Sequence, residues 1–167
     1  MFTIIFHNNG ATMGKKVDAE IREAIKKSAV FGLLGNDDLE RIAQISVRRD
    51  LQEGDIIANR GEKAAYFFIL ISGVLLVSME NGKSVVMRDA GDFVGFELLS
   101  SKGRYINTLT SLLKGEVTAV RRDALLDIIE EDSDAGHSIM QSWNSFVTER
   151  VPFVKDSDAD VVADYQY

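Results

Sequence analysis

The sequence predicts a mainly β fold, a double-stranded antiparallel β-roll (jelly roll) with α-helices packed before and after it. Three observations carry this expectation. Between Val47 and Arg121, short β-branched and aromatic runs are broken by Gly54, Gly61, Gly73, Gly82, Gly91, Gly95, Gly103 and Gly115, the punctuation of strands and turns. Helical patterns of the length that parallel crossovers need are missing between most of these runs, which leaves antiparallel pairing. Apolar residues at helical spacing lie on both sides, from Val17 and again after Arg122.

Composition agrees with one globular domain. The 167 residues are 46% hydrophobic, 27% charged and 8% aromatic, near the averages of folded domains, and a chain of this size buries a sufficient core without staples. Cysteine is absent, which removes disulfides, thiol catalysis and Cys-ligated zinc. The net charge of −7 repels polyanions, so no nucleic acid partner is expected. No apolar stretch approaches the roughly 20 residues of a membrane span, and the expected setting is the cytoplasm.

Residues 1–16 read as a leader without periodicity. Residues 17–152 read as one domain, with N-terminal helices over 17–46, the roll over 47–122 and C-terminal helices over 123–152. In the first helix Val17, Ile21, Ala24, Ile25 and Ala29 form one stripe; in the second, Asp37 and Glu40 suit a capping box and Leu39, Ile42 and Ala43 the core face. The roll is expected to hold about eight strands, and Asn81-Gly82 predicts a two-residue hairpin turn. Asp123 is placed to cap a third helix. Ile139, Met140, Trp143, Phe146 and Val147 stripe a fourth, which Pro152 ends. Residues 153–167 read as an acidic tail, with Asp156, Asp158, Asp160 and Asp164 against Lys155.

Several motifs fail on inspection. Asp156-x-Asp158-x-Asp160 begins like a calcium loop, but Val161 stands where the turn glycine belongs and Tyr167 where the bidentate Glu belongs. Gly82-Lys83-Ser84 lies in a hairpin and has Val77 in place of the first glycine of a phosphate loop. His137 and Ser138 are helix neighbours that point about 100° apart. No metal site, no cofactor and no catalytic constellation is expected.

The informative stretch runs from Leu51 to Leu109. It holds Leu51-x-x-Gly54-Asp55-x-Ile57-x-x-x-Gly61-Glu62, then the run Tyr66 to Val77 around Gly73, then Gly91-Asp92-Phe93-Val94-Gly95, then Arg104. In order and spacing this resembles the cyclic nucleotide-binding domain family, over roughly residues 31–129. The segment from Gly91 to Ile106 mixes a glycine-rich strand end, a run able to make one helical turn, and an arginine. Backbone N–H groups at such a turn and a buried guanidinium pointing inward, that of Arg104, suit a phosphate held in a hollow inside the roll.

The resemblance implies a phosphate-binding cassette. Gly95 and the following glutamate would hold a ribose, with Arg104 and adjacent amides on the cyclic phosphate. Aligned without a gap, Phe96 takes the glutamate's place, and a one-residue bulge brings Glu97 there. Leu98 stands where a small residue is usual, and Leu99 follows it in the turn. Tyr105 and Ile106 replace the small pair that follows the arginine in the family. Trp143 and Phe146 would form an apolar lid, with core packing or a homodimer contact as the plainer roles.

The function this implies is a non-enzymatic sensor of cyclic nucleotide (cAMP or cGMP) that relays binding through the C-terminal helices to an unidentified downstream protein. The fifteen residues after Pro152 are too few for the helix-turn-helix that follows in the family's transcription factors. The alternative is a scaffold or interaction module that kept the roll and lost the ligand, Phe96 and Ile106 filling the cavity. A cupin-like enzyme fails for want of histidine between Phe31 and Ile129.

Overall fold

The computed structural model describes residues 14–95, 103–131 and 133–150, with the side chains of 14–18, 147 and 150 excluded. Pro152, the acidic tail, Phe96 and the candidate residues Glu97, Leu98 and Leu99 lie outside the described residues.

Two helices, α1 (Gly14–Lys27) and α2 (Asn36–Gln44), precede the strands β1 (Ser46–Leu51), β2 (Ile56–Ala58), β3 (Tyr66–Ser78), β4 (Ser84–Met87), β5 (Phe93–Val94) and β6 (Thr108–Arg121), and α3 (Arg122–Glu130) and α4 (Asp134–Arg150) close the domain. All strand pairs are antiparallel, in the order β1-β6-β3-β4, with β2 on β6 and β5 on β3. Among the described residues there are six strands, fewer than the eight expected, because β3 and β6 are each long enough to serve both halves of the roll. Register shifts between Leu70 and Leu75 bend β3 where Gly73 (φ +101°) meets Gly115 on β6. A Cβ on Gly115 would overlap the Ser72 carbonyl, so the two strands cross there only as glycines.

Residues 67–70 of β3 are buried on both faces, and this is why that stretch is an unbroken apolar run. Phe67 and Ile69 face the helices, in a core with Ile25, Phe31, Ile42 and Ile139. Phe68 and Leu70 face the roll interior, with Leu75, Val77, Leu109 and Val117. No helix of the described residues is long and apolar enough to cross a membrane.

Four local expectations are corrected. α1 begins at Gly14, inside the expected leader. α2 is capped by Gly35 with no side-chain bond, so Asp37 lies in the first turn rather than at the cap; likewise Arg121 caps α3, and Asp123 in its first turn accepts from the Ala124 N–H at 2.8 Å. The β3–β4 hairpin has a three-residue loop: Met79 N–H bonds Lys83 C=O at 2.9 Å, and Gly82 (φ +79°) donates to Met79 C=O at 3.2 Å. That is a type I turn closed by a left-handed glycine, a geometry that Asn-Gly serves as readily as the two-residue turn.

Candidate functional site

The site is built where the loop after β2 pairs with the chain entering β6. Gly61 N–H donates to Tyr105 C=O at 2.8 Å, Tyr105 N–H to Glu62 C=O at 2.9 Å, and Ala64 N–H to Gly103 C=O at 2.6 Å. Lys63 and Arg104 face each other in this short ladder. Residues therefore alternate across it: Tyr105 turns inward and is buried, while Arg104 turns outward and is exposed.

The inward guanidinium expected from the sequence is not what the structure holds. Arg104 Nη1 donates to the carbonyl of exposed Gly61 at 2.6 Å, and among the described residues no carboxylate pairs with it. A neutral carbonyl is a weak partner for a guanidinium compared with an anion that accepts two parallel N–H bonds.

Tyr105 holds the space inside. Its ring lies 6.3 Å from Phe68, stacked at 25°, and its hydroxyl donates to Tyr66 C=O while accepting from Tyr66 N–H at 3.2 Å. The ring of Tyr66 in turn carries the Arg49 guanidinium 4.1 Å above its centre, a cation–π contact. Ile106 is half-buried beside this group.

Gly95 is buried at the end of β5 with φ +98°, a conformation costly for any side chain. A Cβ there would press on the Phe67 Cα at 3.2 Å and approach the Tyr105 ring at 3.7 Å. The structure thus brings Gly95, Tyr105 and Arg104 together at the two ends of the candidate cassette.

Trp143 and Phe146 lie elsewhere. They pack edge-on against Phe93, at 5.9 and 4.9 Å, on the helical side of β3 and β5. That face is opposite to the roll interior, so in this arrangement they are core residues rather than a lid. Phe93 is a link that the sequence reading did not single out: its side chain joins the helical core, while that of its neighbour Val94 joins the roll. The signal was the alternation of two apolar residues just before Gly95. The C-terminal end of α1 leans on the same segment, since a Cβ on Gly91 would come within 2.5 Å of Lys27 Cβ. A cavity of about 200 Å³ between Ala29, Leu33 and the α4 residues Ser142, Phe146 and Glu149 also lies on the helical side.

At the far end of the ladder the Arg121 guanidinium bonds both oxygens of Asp123, at 3.2 and 3.1 Å. These bonds, with that from Ala124 N–H, hold the Asp123 carboxyl below the usual carboxylate range.

A glycine-bent roll of antiparallel strands with helices packed before and after it defines a β-roll domain. The chain belongs to the cyclic nucleotide-binding domain family, whose pattern matches residues 48–132. It is 25% identical over 114 residues to a cGMP-dependent protein kinase of Toxoplasma gondii, a match covering 68% of this chain and 11% of the kinase. The chain thus spans only a small part of that relative. Among solved structures it is similar to a Geobacter metallireducens protein assigned as cyclic nucleotide-binding, with a TM-score of 0.66, 18% identity, and 84% of this chain and 99% of the other covered. It is similar also to cAMP-bound PfPKA-R, residues 141–441, with a TM-score of 0.62, 21% identity, and 80% and 56% covered. At such identities the structures speak for the fold.

Proposed function

We propose that the chain is a non-catalytic regulatory module that binds a cyclic nucleotide, cAMP or cGMP, between Gly95 and Ile106, with Arg104 on the cyclic phosphate. The observation that carries this reading is Arg104 itself: a guanidinium at the exit of the cassette, inside the family match, whose side-chain partner among the described residues is one neutral carbonyl. Exchanging that acceptor for a phosphodiester replaces one bond by a charge-assisted pair, which is roughly twice as strong per bond. Gly95 and Glu97 would hold the ribose, with Leu98 and Leu99 closing the turn beside it.

The relay follows from Phe93. A ligand that shifts Gly95 moves β5, and Phe93 carries the shift to Trp143 and Phe146 on α4. Helices poised between two packings are the usual output of such a device, and the receiver is a downstream protein or a second copy of the chain.

A second reading is supported by Tyr105. Its ring occupies the roll beside Phe68 and is pinned by both backbone groups of Tyr66, as a ligand-free interaction module would have it. Calorimetric titration with cAMP and cGMP separates the two. The sensor gives saturable binding that Arg104→Ala weakens at least about tenfold, the scale of a lost charge-assisted pair. The interaction module gives no heat with either nucleotide. Binding that survives Arg104→Ala unchanged refutes the placement of the phosphate.

A further inference from the structure

The cleft between the α1–α2 connection and α4 belongs neither to the roll interior nor to the candidate cassette. Ala29 and Leu33 form one wall, and Ser142, Ser145, Phe146 and Glu149, on successive turns of α4, form the other. Its volume is about 200 Å³, and an apolar cavity of about 150 Å³ already takes a benzene ring. Both walls are incomplete. Leu33 is 75% exposed, the highest value of the exposed large apolar side chains among the described residues. Ser142 is only 5% exposed, and its hydroxyl has no hydrogen-bond partner among the described residues. A buried hydroxyl is costly to leave unpaired, and a bare leucine gains by being covered.

The chain carries a segment of matching chemistry at the rim. α4 runs to Arg150, next to Glu149 of the cleft, and the residues that follow are Val151, Pro152, Phe153 and Val154, all apolar. Proline biases the residue before it away from helical geometry, so the chain leaves the helix direction at Val151. Ser145 precedes Glu149 by about 6 Å along the helix axis. From Arg150 to Phe153 an extended chain reaches up to about 10 Å. A chain that turns back at Val151 and Pro152 therefore sets the Phe153 ring level with Ser145 and Phe146, and brings backbone hydrogen-bonding groups to the Ser142 side of the cleft. Tethered at the rim, the segment is present at an effective concentration in the millimolar range, which a free ligand or a second copy must match from solution.

We propose that residues 151–154 fold back along α4 and dock in this cleft, with the Phe153 ring between Leu33 and Phe146 and the backbone of the segment beside the Ser142 hydroxyl. The docking stands on the cleft, its unpaired hydroxyl and the place where the segment begins. It straps α4 to the connection formed by residues 28–35, between α1 and α2. The regulatory consequence rests on the function proposed above: movement of α4 on nucleotide binding opens the cleft and frees the segment for the receiver.

Solution NMR of the full chain, with ¹³C-labelled leucine methyl groups, tests the docking without altering the protein. The expected result is a nuclear Overhauser contact between the Leu33 methyls and the Phe153 ring within single chains, with those methyls shifted upfield by the ring and returning toward ordinary positions in Phe153→Ala. Absence of the contact in folded, unliganded protein overturns the docking; a contact only between differently labelled chains makes the occupant a second copy and overturns docking in cis. Benzene is the probe for a free occupant. It is expected to bind beside Leu33 at least about tenfold more tightly in Phe153→Ala than in wild type, where the tethered ring competes with it; equal binding to the two overturns the docking. For the consequence, saturating cAMP or cGMP is expected to remove the Leu33–Phe153 contact, and its persistence with nucleotide bound overturns the release. Failure to bind either nucleotide overturns the proposed function and the release, while the contact in the unliganded chain still decides the docking.

Discussion

The phenol of Tyr105 takes up both backbone hydrogen-bonding groups of Tyr66, donating to its carbonyl and accepting from its N–H. At Tyr66, the first residue of β3, the backbone is thus completed by a side chain 39 positions away. The contact clamps the chain entering β6 to the start of β3. Tyr105→Phe keeps the ring on Phe68 and removes both bonds, leaving two polar groups without their partner in a half-buried setting. Chemical denaturation is expected to show a loss of about 1–3 kcal/mol, with the slope against denaturant unchanged.

Gly115 is where the two long strands cross. A methyl group there would run into the Ser72 carbonyl and Gly73 Cα, which are backbone atoms that cannot turn aside. Gly115→Ala is expected to cost at least about 2 kcal/mol, whereas Gly35→Ala, with open space around it, is expected to lose only the preference of the α2 N-cap for glycine over alanine, about 0.5–1 kcal/mol. Thermal unfolding of the two variants side by side reads the difference.

Phe93 joins the helical core to the segment that leads into Gly95. Truncation by Phe93→Ala removes a ring 96% buried against Phe67, Trp143 and Phe146 and is expected to cost about 3–5 kcal/mol. Phe93→Leu keeps most of the volume and tests the relay. Trp143 is the single tryptophan of the chain, so its emission reports on α4 directly. Ligand binding is expected to shift that emission in wild type and to shift it less in Phe93→Leu at saturating ligand. An equal shift in both would place the relay elsewhere.

The Arg121–Asp123 pair gives a pH dependence of known sign. The carboxyl of Asp123 is held below its ordinary range by the Arg121 guanidinium and then by Ala124 N–H. Its contribution is therefore complete above the unfolded carboxylate pKa of about 3.9 and is lost as pH falls through the lower folded value. Wild type is expected to unfold at a higher temperature than Asp123→Asn at pH 7, and the gap is expected to close near pH 2. A gap that persists in acid would assign the effect to capping geometry instead of charge.

Much of this architecture is legible in the residues. Glycine spacing from Gly54 to Gly115 announced short antiparallel strands, and the stripes of Ile21, Ile25, Leu39, Ile42, Leu125 and Ile139 announced the helices that bury them. Strand number was less legible, since a bent strand such as β3 or β6 reads locally as two. Side-chain direction at the site was the hardest part. Arg104 and Tyr105 are neighbours on an extended ladder, so a shift of one residue exchanges inward for outward, and only the pairing of Lys63 with Arg104 decides it. The role of Phe93 depends on contacts with α4, fifty positions later in the chain at Trp143, which no local pattern encodes.

The most direct test is calorimetry of the full chain against cAMP, cGMP and their 5′-monophosphates. Saturable one-to-one binding of a cyclic nucleotide, absent with the open monophosphates and weakened by Arg104→Lys, is the predicted result. No heat with either cyclic nucleotide, from a sample whose cooperative unfolding shows it to be folded, would contradict the account and leave the interaction module in its place.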